Sequence, residues 1–157
     1  MRPELLSMCL SVCLTGGASS ASAVLHEWDD RRAAAWASSD VAGLRSLYVA
    51  GSPTGRADAA MLRAWHERGL RVEGMRMQLL DLDVRRASDA RLDLVVTDRL
   101  TGAVAVGPGV QLPLPQDGAS TRWVVLVREG GIWRVAQSVE GARPARTTSW
   151  TVRSRKE

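Results

Sequence analysis

The alternation of apolar and polar positions divides the chain into a helical first half and a strand-rich second half. From Val24 onward, Leu25, Trp28, Arg32, Ala35 and Trp36 recur at three- and four-residue spacings, with Ala33, Ala34 and Ala37 as strong helix formers among them. Ser38-Ser39-Asp40 interrupts that helix. Asp40 is a good N-cap for a short second helix carrying Val41, Leu44, Leu47 and Tyr48. The turn residues of Ala50-Gly51-Ser52-Pro53-Thr54-Gly55 predict a loop. Asp58 is then expected to cap a third helix, with Met61, Leu62 and Trp65 as its apolar stripe and Gly69 as its stop.

After Gly69 the period shifts towards two. Residues 70–84 read as a long strand region bent near Gly74, residues 91–100 as a second strand after a turn at Asp89-Ala90, and residues 103–106 as a third after Thr101-Gly102. Residues 107–120, rich in Gly and Pro, are expected to form an irregular connection. The clearest local signal follows. Two β-rich runs flank Gly130-Gly131 and predict a hairpin over residues 121–140. Centred on the glycines, it sets Arg128 opposite Trp133, Leu126 opposite Val135 and Val124 opposite Gln137. One face then carries Val124, Leu126, Trp133, Val135 and Val139. The other carries Trp123, Val125, Val127 and Ala136, so both faces are apolar and the sheet is expected to be covered on both sides. Three helices followed by four to five antiparallel strands make an α+β layout, with the helices packed on a curved sheet.

A chain of 157 residues, 45% of them hydrophobic, is one domain able to bury a core. Its net charge of +4 does not mark a nucleic-acid surface. Between residues 24 and 140 arginines and carboxylates balance, and the excess lies in a basic tail, residues 141–157. No nucleic-acid partner is expected. Arginine almost replaces lysine, as in a GC-rich bacterial genome. The two cysteines, Cys9 and Cys13, both fall near the start and leave the body without a disulfide framework or a cysteine zinc site.

Residues 1–23 have a charged start, an apolar run from Leu5 to Leu14 and a small-residue end at Ala21-Ser22-Ala23. These are the three parts of a secretory signal, and they predict export, with any membrane contact confined to this segment as a signal or anchor. The run is too short for a membrane span. Without such a signal the protein would be cytoplasmic.

The order of three helices, then a long curved sheet ending in Gly131-Ile132-Trp133-Arg134-Val135, resembles the nuclear transport factor 2-like superfamily. Its bacterial members include ketosteroid isomerase-like and SnoaL-like proteins. Trp28 and the helix from Asp40 to Tyr48 suit the same pattern, and the likeness covers residues 24–140. The resemblance implies a cone in which helices close over a concave sheet and leave an apolar pocket. The fold hosts isomerases, dehydratases and domains without catalysis, so it does not name an activity.

The chemistry within that frame is sparse. His26 and His66 stand forty residues apart without a metal-binding spacing, and neither a nucleophile elbow nor a phosphate-cradling loop occurs. No metal and no cofactor are expected. Acid–base chemistry is open to Asp98, and to Asp81 and Asp83 if they leave the wet face that their alternation with Leu80, Leu82 and Val84 assigns them. The isomerase-like arrangement would add Tyr48, the only phenol, as an oxyanion donor. Asp98 also reads as half of a structural ion pair with Arg99, Arg91 or Arg76. Pocket candidates are Trp36, Tyr48, Trp65, Met75, Met77 and Trp123; Trp28 and Trp133 are expected in the core, in a chain without phenylalanine. The leading expectation is an exported, non-catalytic binding domain, with a hydrophobic small molecule or a second copy of the chain on the outer sheet face as partner. The alternative is an isomerase or cyclase using Asp98 and Tyr48.

Overall fold

The computed structural model describes residues 16–116 and 118–141. Three helices, α1 (Gly16–Ser38), α2 (Val41–Ser46) and α3 (Pro53–Glu67), precede seven strands: β1 (Arg71–Glu73), β2 (Arg76–Ala87), β3 (Arg91–Thr101), β4 (Val104–Gly107), β5 (Val110–Pro113), β6 (Ser120–Glu129) and β7 (Ile132–Glu140). The α+β layout is the expected one. No helix among the described residues is long and apolar enough to cross a membrane.

Helix α1 begins eight residues before the point where its apolar period becomes legible, and Ala21, fully buried, belongs to the core. Ser39 ends it in a left-handed conformation (φ 56°). Asp40 then caps α2 by accepting from the Gly43 amide at 2.8 Å. The third helix corrects the sequence reading. It is capped by Ser52, with Pro53 in its first turn, so the predicted loop already contains its start. Asp58 lies inside the helix, 8% exposed, and its carboxylate serves the interior.

The strands form two antiparallel sheets, β2-β3-β6-β7 and β1-β4-β5. Gly74, at φ 68°, is more than a bend: it ends β1 in one sheet and releases β2 into the other. Gly102 (φ 70°) does the same between β3 and β4, and a Cβ on either glycine would lie 2.8 Å from the other's carbonyl oxygen. Only glycine fits such a paired crossing. Strand β5 went unread in the Gly- and Pro-rich connection. Gly107 pairs with Val110 across Pro108-Gly109, a two-residue turn whose Gly109 has φ 68°.

In the last hairpin, Arg128 pairs with Trp133 and Leu126 with Val135, as expected. A bulge between Val125 and Leu126 then shifts the register, so Val124 faces Ser138 and not Gln137. Beyond the bulge the phase of β7 inverts. Ser138 turns to the concave side, and Val139, expected inside, is 38% exposed.

The helices cover the concave face of the larger sheet. Leu25 and Trp28 of α1, Leu44 of α2 and Leu62 of α3 meet Leu94, Val96, Val124, Leu126 and Val135 in one cluster. Each buried leucine there contributes roughly 1.5–3 kcal/mol. The Trp28 indole donates to the Leu47 carbonyl at 2.8 Å, and Val135 exchanges backbone bonds with Leu47 and Val49, fastening the segment after α2 to the β7 edge. The outer face carries Val95, Trp123 and Val139 in one cross-strand row, beside Val125 and Val127.

Candidate functional site

Two adjoining cavities lie between the helices and the concave sheet. One, of about 290 Å³, has apolar walls from Trp36, Trp65, Met75, Met77, Leu100 and Leu114, and polar groups from Arg32, Asp98, Ser120 and Arg122. The exposed residues Met61, Arg99 and Gly118 mark its mouth. The other, of about 230 Å³, extends to Trp28, Asp29, Tyr48 and Ser138. Arg32, Met61, Met77 and Arg122 line both.

The first polar group of this interior is closed on itself. Arg32, one turn before Trp36 on α1, donates to both oxygens of Asp58, at 2.7 and 2.6 Å. The Tyr48 hydroxyl donates to Asp58 Oδ2 at 2.7 Å and the Trp36 indole to Oδ1 at 3.3 Å. Four donors on two oxygens leave the carboxylate satisfied. Burial, then the Asp58 charge, drive the Tyr48 pKa well above its usual value. Burial opposes the Arg32 charge, but the Asp58 hydrogen bonds and charge outweigh it and hold the guanidinium protonated. The Arg32 guanidinium also lies 5.9 Å from the Trp36 ring centre, and Trp36 meets Trp65 edge to face.

The second polar group is incompletely paired. Asp98 on β3 continues the inward phase of Leu92, Leu94 and Val96, and is 1% exposed. Arg122 on β6 is its diagonal neighbour, since Asp98 pairs with Ser120 and Val96 with Arg122. Arg122 Nη2 donates to Asp98 Oδ2, and its Nη1 reaches Ser138 Oγ at 3.5 Å. Among the described residues, Asp98 Oδ1 and Arg122 Nε are buried without a partner. Facing them from α1 is Asp29, half-buried, one turn before Arg32. Burial pushes the Asp29 carboxyl up to about 7; Arg122 pulls it down and Asp98 adds to the rise.

The expected pocket residues separate accordingly. Trp36, Trp65, Met75 and Met77 line the first cavity, and Tyr48 with Met77 the second. Trp123 lines neither; its strand phase puts it on the outer face beside Val95 and Val139. Asp98 points inward as the enzyme reading required, but its partner is Arg122, and Arg99, Arg91 and Arg76 do not hold it. Tyr48 is engaged by Asp58, so the structure does not join Asp98 and Tyr48 as base and donor. Asp81 pairs with Thr97 and Asp83 with Val95 in the outward phase, and Asp83 meets Arg85 at 2.7 Å. Sequence reasoning did not single out Asp29 or Arg122, or Asp58 as a buried acceptor.

The sequence matches no family model and no curated protein. Solved structures are similar to it. Aln2 from a Streptomyces species superposes with a TM-score of 0.53 at 18% identity, over 77% of this chain and 89% of that one. ActVI-ORFA from Streptomyces coelicolor gives 0.52 at 17%, over 80% and 99%. The chain has the nuclear transport factor 2-like cone fold. The intermembrane space region of the chloroplast protein ARC6 also superposes on this cone, with a TM-score of 0.52 at 13% identity over 78% of this chain and 95% of that one. In nuclear transport factor 2-like terms, the cavities occupy the space inside the cone and Trp123 its outer wall.

Proposed function

We propose that this domain binds a small, mainly apolar molecule inside the cone. The observation that carries the reading is the cavity of about 290 Å³, with tryptophan, methionine and leucine walls and a few polar groups among them. The fold by itself accommodates binding and catalytic roles alike. Thermal unfolding of the purified protein with a panel of two-ring neutral compounds tests the proposal. At least one is expected to raise the melting temperature, and a Leu100→Trp variant, which fills the cavity, is expected to lose that response. If no compound shifts the melting temperature, the reading falls.

A second reading rests on Asp29. A carboxyl titrating at about 7 beside a cavity can take up and return a proton near neutral pH, which suits acid–base turnover of the bound molecule. Under this reading Asp29 replaces Asp98 as the proton-transfer group, and Asp98 with Arg122 sets its electrostatic surroundings. Turnover that survives Asp29→Asn would end it. Export rests on the sequence of residues 1–23, of which residues 1–15 lie outside the described part.

A further inference from the structure

We propose that a surface groove apart from the inner cavities binds the phosphoryl group of a soluble phosphorylated molecule. The groove, of about 490 Å³, lies between α2, the start of α3 and the β6–β7 hairpin. It shares only Tyr48 with the inner cavities, so the proposal is independent of the small-molecule reading above.

Charge in the groove is one-sided. Arg45, Arg56 and Arg134 line it against a single carboxylate, Glu129, although residues 24–140 balance as a whole. Arg134 donates from Nε to the Ser46 carbonyl at 3.0 Å and from Nη1 to Glu129 at 3.0 Å, which leaves its Nη2 without a partner among the described residues. Arg56 donates from Nη1 to the Gly51 carbonyl. A carbonyl oxygen orients a guanidinium without cancelling its charge. Arg45, exposed in the last turn of α2, makes no side-chain hydrogen bond or ion pair among the described residues. The groove therefore keeps two uncompensated cations with N–H groups to spare.

A phosphate monoester suits this set. It brings close to two negative charges near neutral pH and three acceptor oxygens in one compact group. Guanidinium forks match such oxygens in pairs. A carboxylate brings one charge and answers half of the excess. The first turn of α3 adds little, because Ser52 Oγ already accepts from the Gly55 amide at 3.2 Å. A bilayer fits the groove less well than a soluble anion does. Its remaining walls include Ala42, Val49, Ala50 and Gly51, and none of the exposed large apolar side chains among the described residues lines it. Proteins that settle on a membrane insert such side chains beside their cations.

Calorimetric titration of the whole protein with glycerol 3-phosphate and with acetate, at low salt, tests this. The phosphate is expected to bind with a Kd below about 1 mM, and acetate about tenfold more weakly or less. Arg45→Gln/Arg56→Gln is expected to weaken phosphate binding by about tenfold or more, the loss of at least one hydrogen bond between charged partners. Arg63→Gln/Arg68→Gln removes the same charge from α3 and its cap outside the groove, and should change the affinity by about twofold at most. Arg45→Gln alone disturbs no internal partner and should weaken binding about threefold, which keeps the test available if the double variant unfolds. Absence of phosphate binding overturns the proposal. So does an equal loss in both double variants, which would show a response to diffuse charge alone, and so does acetate binding as tight as phosphate. Vesicles of phosphatidylcholine and phosphatidic acid distinguish the source of the phosphoryl group. Vesicle binding that needs Arg45 and Arg56, without binding of glycerol 3-phosphate, overturns the soluble ligand.

Discussion

The hydroxyl of Tyr48 donates to Asp58 Oδ2 at 2.7 Å, across the interface of α3 with the segment after α2. This bond gives the only tyrosine of the chain a structural task. Tyr48→Phe removes one hydrogen bond to a charged acceptor and should lower stability by about 1.5–3 kcal/mol in urea unfolding. Asp58→Ala strips Arg32 of its counter-charge as well and should cost about 3–5 kcal/mol. Ligand affinity in the larger cavity should be unchanged in Tyr48→Phe.

Asp29 should give the protein a pH-dependent stability of identifiable sign. Its folded pKa, about 7, lies above the unfolded value of 3.8. The folded state therefore keeps a proton that the unfolded chain releases between these values, and the Asp29 contribution to stability falls as pH rises through that window. Above about pH 7 both states are ionised and the penalty is constant. Asp29→Asn should match the parent near pH 4 and exceed it by about 2 kcal/mol at pH 8, with the difference growing between. A difference that is flat with pH would contradict the assignment.

The Asp98–Arg122 pair should respond differently to half and to full removal. Arg122→Leu leaves a carboxylate that is 1% exposed without its cation, and should lose about 3–5 kcal/mol. Asp98→Leu/Arg122→Leu should recover most of that loss, because an apolar pair of similar volume avoids both desolvation costs. Chemical denaturation of the three proteins checks the order.

The outer strip of Val95, Trp123, Val127 and Val139 is proposed as a surface for self-association. Sedimentation should show a dimer at micromolar concentration and a monomer for Trp123→Arg, with unchanged circular dichroism. A monomeric parent would reject the proposal.

Ala21 ties the first turns of α1 to the core. A chain beginning at Val24, as signal cleavage after Ala23 would produce, lacks these turns. It should be less stable than the full chain by about 1–2 kcal/mol, measured by thermal unfolding.

The elements were legible wherever the apolar period ran unbroken. The Leu25–Trp28–Arg32–Trp36 face, the Asp40 cap, the Gly69 stop and the glycine turn of the last hairpin all stand in the structure. Strand β5 was hidden because Val110 and Leu112 are exposed and short runs between Gly and Pro carry no phase. The Val139 prediction failed because a bulge adds a residue without changing composition. The site left a trace that was only partly read. Arg32 on α1, Asp98 on β3 and Arg122 on β6 each occupy the inward phase of an apolar element, as buried ion pairs require. What phase alone cannot give is the partner, since Arg122 reaches Asp98 only through the strand register and Asp58 meets Arg32 only through helix packing.

The paired glycines at 74 and 102 let the β2–β3 ladder break and continue as β1–β4 at another angle. Both passages between the two sheets, from β1 to β2 and from β3 to β4, run through these two residues, neither of which contributes a side chain to the space enclosed. The shape of the vessel is thus written in the main chain, while its contents are written in Trp36, Met75, Met77 and Leu100. Substitutions along the wall can retune what is held without rebuilding the container, whereas a single methyl group at the pivot would deform the container and leave its lining chemically intact.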